Sequence, residues 1–339
     1  MHTTQTITEL YPNQQYKISH QTQLEISRFN PVMSPSSSVS ICSTTSVFAI
    51  GELETQLVKP EETLTPKPLL IFTPVEAGEF PVLVLLHGYL LQNSFYSQLS
   101  HQIASHGFIL VVPQLYSVAG PDATKEIEYV AEITNWLPEG LPKFLPTQVT
   151  ANLTKLGLAG HSRGGKVAFA LALNKLKTEL KLKYSALIGI DPVDGMDKGK
   201  QTPPKVLTYV PHSFNLEMPV MVIGSGLGEV RKNPLFPACA PKGVNHEDFY
   251  NECCKPACYF VAKDYGHLDM LDDETKGIRG KATYCLCKNG KCREPMRRFV
   301  GGVVVAFLKG YLERDFNFLI GIKDDELAPV ELQKVDFLL

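Results

Sequence analysis

The run Leu156-Gly157-Leu158-Ala159-Gly160-His161-Ser162-Arg163-Gly164-Gly165-Lys166 passes from an apolar segment, through a serine flanked by glycines, into a helical pattern. Leu156 to Ala159 reads as a buried strand and Lys166 to Leu176 as a helix. Between them Gly160-His161-Ser162-Arg163-Gly164 fits G-x-S-x-G. That pentapeptide alone arises by chance in roughly one chain in ten of this length. Its setting is far more specific. Strand, tight turn and helix are the context of a nucleophile elbow, where small residues let the chain bend and the serine hydroxyl stands above the sheet. Ser162 is therefore the candidate nucleophile.

The same alternation extends outward. Val82 to Leu86, Phe108 to Val112, Ala186 to Ile190, Val220 to Ile223 and Tyr259 to Ala262 are short apolar runs bounded by turn residues. Helical spacing separates them at Ser94 to His106, with Ser94 as the expected cap, at Asp122 to Trp136 and at Met296 to Leu312. Continuous apolar strands alternating with helices predict a mostly parallel central sheet with helices on both faces. Together with the elbow this is the α/β class and the α/β-hydrolase fold. Residues of about 47–58 are expected to form a first, edge strand.

The 339-residue chain is 44% hydrophobic and 20% charged, enough to bury a large core. Its net charge of -2 gives no sign of a nucleic-acid partner. Val300 to Leu308 is too short to span a bilayer and reads as a buried helix. Residues 1–46 differ in composition. They carry a Ser-rich run from Ser34 to Ser46, only two acids, Glu9 and Glu25, and no apolar core of a secretory signal. Poverty in acid and wealth in hydroxyls fit a plastid transit segment, although the stretch is not rich in Arg. A disordered tail carrying no address is the alternative. Residues 47–339 are expected to form one catalytic domain.

A serine hydroxyl needs a base to take its proton. The base should follow the last strand, and the acid should lie between the two in sequence. His267 follows the Tyr259–Ala262 strand by the short loop Lys263-Asp264-Tyr265-Gly266. His246 and His212 are the alternatives, and neither follows a strand. For the acid, the strand Val220 to Ile223 ends in glycines before Glu229, whereas Ala186 to Ile190 ends directly in Asp191-Pro192-Val193-Asp194. Asp191 is favoured, with Asp194 and Glu229 open. The oxyanion donors are expected to be the backbone N–H of Arg163 and that of Tyr89, in the turn Leu86-His87-Gly88-Tyr89. Leu90, Leu91, Phe95 and Tyr96 either line an apolar pocket or pack the core. No cofactor is called for. A zinc site drawn from Cys254, Cys258, Cys285 and Cys287 lacks the usual paired spacing. One or two disulfides, or free thiols, are the preferred states of the eight cysteines.

Longer motifs resemble the plant chlorophyllases. They include Gly160 to Gly165, Gly189-Ile190-Asp191-Pro192-Val193 and the run Asp264 to Asp273. Further matches are Ile103 to Phe108, Pro113-Gln114-Leu115-Tyr116, Cys239-Ala240-Pro241, Asn245-His246-Glu247 and Gly302 to Lys309. The resemblance covers about residues 47–335. It implies hydrolysis of the phytyl ester of chlorophyll through an acyl-enzyme, the triad Ser162, Asp191 and His267, and an H-G turn at His87-Gly88. The Cys253-Cys254 doublet, Cys258 and Cys287-x4-Cys292 depart in part from the family's pattern. Chlorophyll is then the expected partner, with peripheral association with a membrane or pigment and the chloroplast as compartment; cytosol and endomembrane are the alternatives. A general lipase or carboxylesterase, and a catalytically silent pigment- or lipid-binding protein, are the competing functions.

Overall fold

Strand β3 (Gly78–Leu86) shows how the core is divided. Val82, Val84 and Leu86 enter one hydrophobic cluster, while Leu83 and Leu85 enter the other, and all are buried. Successive side chains of a strand point to opposite faces, so a run apolar at every position must be covered on both. A computed structural model describes residues 46–234, 236–323 and 328–339. The extension read as residues 1–46 therefore lies, except for Ser46, outside the described residues.

The sheet has the order β1-β2-β4-β3-β5-β6-β7-β8-β9. Its remaining strands are β1 (Thr55–Val58), β2 (Leu69–Pro74), β4 (Ile109–Pro113), β5 (Val149–His161), β6 (Ala186–Ile190), β7 (Val220–Ser225), β8 (Ala257–Ala262) and β9 (Leu332–Leu338). From β4 through β3, β5, β6 and β7 to β8 the pairs are parallel. Antiparallel strands close both sides: β1 and β2 at one edge and β9 at the other. The fold is thus α/β, as expected. The edge strand is shorter than the 47–58 reading, because Val47 and Phe48 leave the strand to fill the core. β9 has no counterpart in the sequence reading. Gln333 and Lys334 are exposed, Val335 to Leu338 are half-buried and no position is fully buried, a weak signal for an edge.

One face of the sheet is covered by α1 (Ser97–Ala104) and α5 (Glu294–Glu313). The other carries α2 (Thr124–Gly140), α3 (Arg163–Ala172) and α4 (His246–Glu252). α5 contains the Val300 to Leu308 run and buries all of it, at roughly 1.5–3 kcal/mol for each large side chain. Its Gly302 admits Phe48: a Cβ there would lie 2.2 Å from the Phe48 ring. The helix expected from Ser94 instead opens with a 3-10 turn, Asn93–Tyr96, and Ser94 supplies no side-chain cap. α4 is unpredicted, although Asn245 and Asp248 form its capping box, the local signal for a helix start. No helix among the described residues is long and apolar enough to cross a membrane.

The parallel strands all point their carboxyl ends the same way. The turns after β3, β5, β6, β7 and β8 therefore meet along one rim, where a doubly wound sheet places its ligands.

Candidate active site

At the end of β5 the chain reverses into α3 within one residue. Ser162 pays for that bend with φ 56° and ψ -121°, a conformation that residues with a Cβ rarely adopt. The flanking glycines are required by contact. A Cβ on Gly160 would lie 2.2 Å from the Gly164 carbonyl oxygen, and one on Gly164 would lie 2.6 Å from the carbonyl oxygens of Leu86 and His87. Ser162 N–H donates to Ile190 O at 3.0 Å, which ties the elbow to the tip of β6.

That tip brings the candidate acid. Asp191, also at positive φ (45°), accepts a hydrogen bond at Oδ2 from His267 Nδ1 at 2.8 Å. His267 Nε2 lies 2.8 Å from Ser162 Oγ. All three side chains are buried. Ser225, at the end of β7, donates its hydroxyl to the same Oδ2. Burial alone would raise the Asp191 pKa. The His267 imidazole and its hydrogen bond, with His246 and Ser225 behind them, outweigh burial and hold it down at about 2. The carboxylate is thus ionised, and it fixes the His267 tautomer with the proton on Nδ1 and a lone pair facing the serine.

The other candidates are placed elsewhere. Asp194 is fully buried against Lys166 Nζ at 2.9 Å, and its Oδ2 receives Gln201 Nε2 and the N–H groups of Val206 and Leu207. It staples the loop after β6 rather than facing His267. Glu229 accepts from Asn245 Nδ2 at 2.8 Å. His212 bonds the Cys253 carbonyl at 2.7 Å. His246 comes within 3.8 Å of Asp191 Oδ1, the oxygen that His267 leaves free, with its Nδ1 bonded to Tyr259 OH.

Of the two oxyanion candidates, Arg163 is the first residue of α3, so its N–H has no carbonyl one turn back to bind. Its buried guanidinium pairs with Glu126 at 2.6 Å and holds the carbonyls of Pro121 and Asp122. Tyr89 follows Gly88 in a turn closed by Leu91 N–H to Gly88 O, with Leu90 at φ 57°. The Tyr89 N–H takes no part in that closing bond. Leu91, Phe95 and Tyr96 pack into the hydrophobic core, and Leu90 is half-buried. The exposed apolar surface beside the elbow is instead Tyr89, whose ring lies over Arg163, and Val118, next to the Ala119 carbonyl that Tyr89 OH bonds.

Sequence reasoning missed Ser225, the positions of His246 and Tyr96, and any role for His161. Ser225 had a signal: it occupies the β7 tip where an acid was sought. The zinc alternative loses a thiolate, because Cys287 forms a disulfide with Cys239. Cys253, Cys254, Cys258, Cys285 and Cys292 are free thiols.

A chlorophyllase family profile matches residues 43–339. Chlorophyllase-2 of Arabidopsis thaliana is 65% identical over 277 residues, covering 81% of this chain and 87% of the relative. Chlorophyllase-1 of the same plant is 47% identical, covering 85% of this chain and 91% of the relative. A Citrus unshiu protein named chlorophyllase-1, chloroplastic, is 43% identical, covering 87% of this chain and 88% of the relative. With a matching profile over most of its length and relatives this similar, the chain belongs to the chlorophyllase family.

Proposed function

We propose that this chain hydrolyses the phytyl ester of chlorophyll to chlorophyllide and phytol, with residues 47–339 as a single catalytic domain. The observation that carries the reading is the unbroken series of contacts from Asp191 through His267 to Ser162, in a member of this family. Ser162 Oγ attacks the ester carbonyl while His267 Nε2 takes its proton. Asp191 keeps the imidazole oriented and stabilises the imidazolium that forms. The backbone N–H groups of Arg163 and Tyr89 receive the oxyanion of the tetrahedral intermediate. As the C–O bond to phytol breaks, His267 returns the proton to the departing oxygen, leaving chlorophyllide esterified to Ser162. A water deprotonated by His267 then releases the chlorophyllide acid and restores the serine.

Exposed Tyr89 and Val118 suit an apolar alcohol chain arriving from a pigment-bearing membrane surface. The name of the Citrus relative supports the chloroplast as compartment.

Purified protein incubated with chlorophyll a should yield chlorophyllide and phytol in equal amounts, and Ser162→Ala should stop the reaction while keeping the fold. Turnover of p-nitrophenyl butyrate alone would instead identify a general carboxylesterase. Chlorophyll binding without turnover would identify a silent pigment carrier.

A further inference from the structure

The middle residue of Gly160-His161-Ser162 has no part in the proton path, yet its imidazole is fully buried and bonded at both nitrogens. Nε2 lies 2.8 Å from the His267 carbonyl oxygen. A carbonyl can only accept, so Nε2 carries the proton and Nδ1 is an acceptor. Tyr96 OH, 2.7 Å from Nδ1, must then be the donor there. The Tyr96 oxygen in turn accepts Gly88 N–H at 2.9 Å. Donor and acceptor logic leaves one arrangement, running from the loop that presents Tyr89, through Tyr96 and His161, to the main chain of the base.

We infer that His161 and Tyr96 are positioning residues that lock the base loop to the oxyanion loop through the nucleophile elbow. This rests on the roles proposed for Ser162, His267 and Tyr89.

The lock acts on both catalytic elements. The Gly88 carbonyl and the Tyr89 N–H belong to one planar peptide unit, so fixing one fixes the direction of the other. Gly88 N–H is held by Tyr96, and Gly88 O accepts His87 Nδ1–H at 2.8 Å. His87 is itself anchored by Leu115 N–H at its Nε2, 3.0 Å away. On the other side, the ring of His267 hangs from the main-chain unit whose carbonyl His161 holds. The segment carrying Tyr96 is tied a second time to the stretch after His267, because Asp272 N–H donates to Phe95 O and Gln98 N–H to Asp272 Oδ1, both at 2.8 Å. Space for the relay is made by Gly88, where a Cβ would lie 3.0 Å from His161 Nδ1 and 3.2 Å from Ser162 Cβ.

His161 is suited to the task because it stays neutral. Burial, reinforced by the neighbouring His267, pushes its pKa down to about 3. Its ring sits 4.8 Å from that of His267. A second cation there would oppose the imidazolium that each catalytic step creates.

The test compares Tyr96→Phe, His161→Ala, His161→Gln and the Tyr96→Phe/His161→Ala double variant. Each is scored per active serine, counted by labelling with a fluorophosphonate. Misplacing a catalytic group by about 1 Å costs on the order of 10²-fold, so Tyr96→Phe and His161→Ala should lower kcat for chlorophyll a by about 10- to 100-fold. KM should stay within about twofold, as expected when only transition-state geometry is lost. His161→Gln, whose amide can donate to the carbonyl and accept from Tyr96, should recover most of the loss. The double variant should be little worse than the poorer single one, since both break one relay. Unchanged kcat per labelled serine with only a lower melting temperature, a loss carried by KM, or additive effects would each overturn the relay. If the wild-type protein labels at the serine but leaves chlorophyll intact, the substrate assignment fails. The relay is then still judged by the labelling rates of the same variants.

Discussion

His246 Nε2 stands 3.8 Å from Asp191 Oδ1, the carboxylate oxygen that His267 does not use. That oxygen is buried and accepts no hydrogen bond from a described residue. The ring is admitted by Gly224 at the β7 tip, where a Cβ would lie 2.4 Å from His246 Nδ1. The acid thus sits between two imidazoles, one facing the nucleophile and one behind. His246→Leu removes the imidazole that faces that oxygen and should lower kcat by about 3- to 30-fold with KM unchanged, the range of a weakened charge contact. Steady-state kinetics on chlorophyll a checks this, and a wild-type kcat would show that the rear imidazole is idle.

Asp191 and Asp194 should fail in different ways when neutralised. Asp191→Asn leaves His267 free to adopt the wrong tautomer and should cost about 10⁴-fold in kcat while the chain still folds. Asp194→Asn strands Lys166, which is 1% exposed, and should cost about 3–5 kcal/mol of unfolding free energy. Urea titration beside kcat per labelled serine separates the two. Matching profiles for both variants would contradict the assignment of the acid.

Strain at the elbow makes a stability prediction. Ser162→Ala keeps a Cβ at φ 56°, whereas Ser162→Gly does not. The glycine variant should be more stable than the alanine one by about 1 kcal/mol, while both are inactive. Equal melting temperatures would mean that the bend stores no strain.

Buried neutral histidines predict acid lability. His161 is held down to about 3 and His87 to about 4, in both cases mainly by burial. An unfolded histidine titrates near 6.5. Between that value and the folded ones the unfolded chain binds more protons, so stability falls as pH drops from about 6.5 towards 4. The slope is up to about 1.4 kcal/mol per pH unit for each histidine. Asp191 adds to the same trend lower down: its contribution is complete above the unfolded carboxylate value and is lost as pH falls through about 2. Urea midpoints between pH 7.5 and 4.5 should decline for the wild type and decline less steeply for His161→Gln. A flat profile would contradict buried neutral rings.

The exposed apolar rim should matter for the natural substrate alone. Val118→Asp places a charge on a residue that is 77% exposed, where folding is indifferent to it. It should raise KM for chlorophyll a by about tenfold, the order expected for losing apolar contact with a phytyl chain, and leave p-nitrophenyl butyrate unchanged. A parallel rise for both substrates would place Val118 outside the binding surface.

Much of this was legible in one dimension. Apolar runs announced the central strands, because a strand buried on both faces has no polar position to spare. Glycines around Ser162 announced the elbow, because contacts of 2.2 and 2.6 Å exclude any Cβ there. His267 was marked by its place just after the last parallel strand. Those signals are local, and local sequence encodes periodicity and turn chemistry. The direction of a side chain at a strand tip is a different matter. Asp191 and Asp194 lie three residues apart, yet a positive φ and hydrogen bonds to His267 and Ser225 turn the first towards the serine. Lys166 and the amides of Val206 and Leu207 turn the second into the loop. Likewise His161 reads as the free position of a motif until packing brings Tyr96 and the His267 carbonyl to its two nitrogens. Those partners lie 65 and 106 residues away along the chain, and only the folded structure brings them within bonding distance.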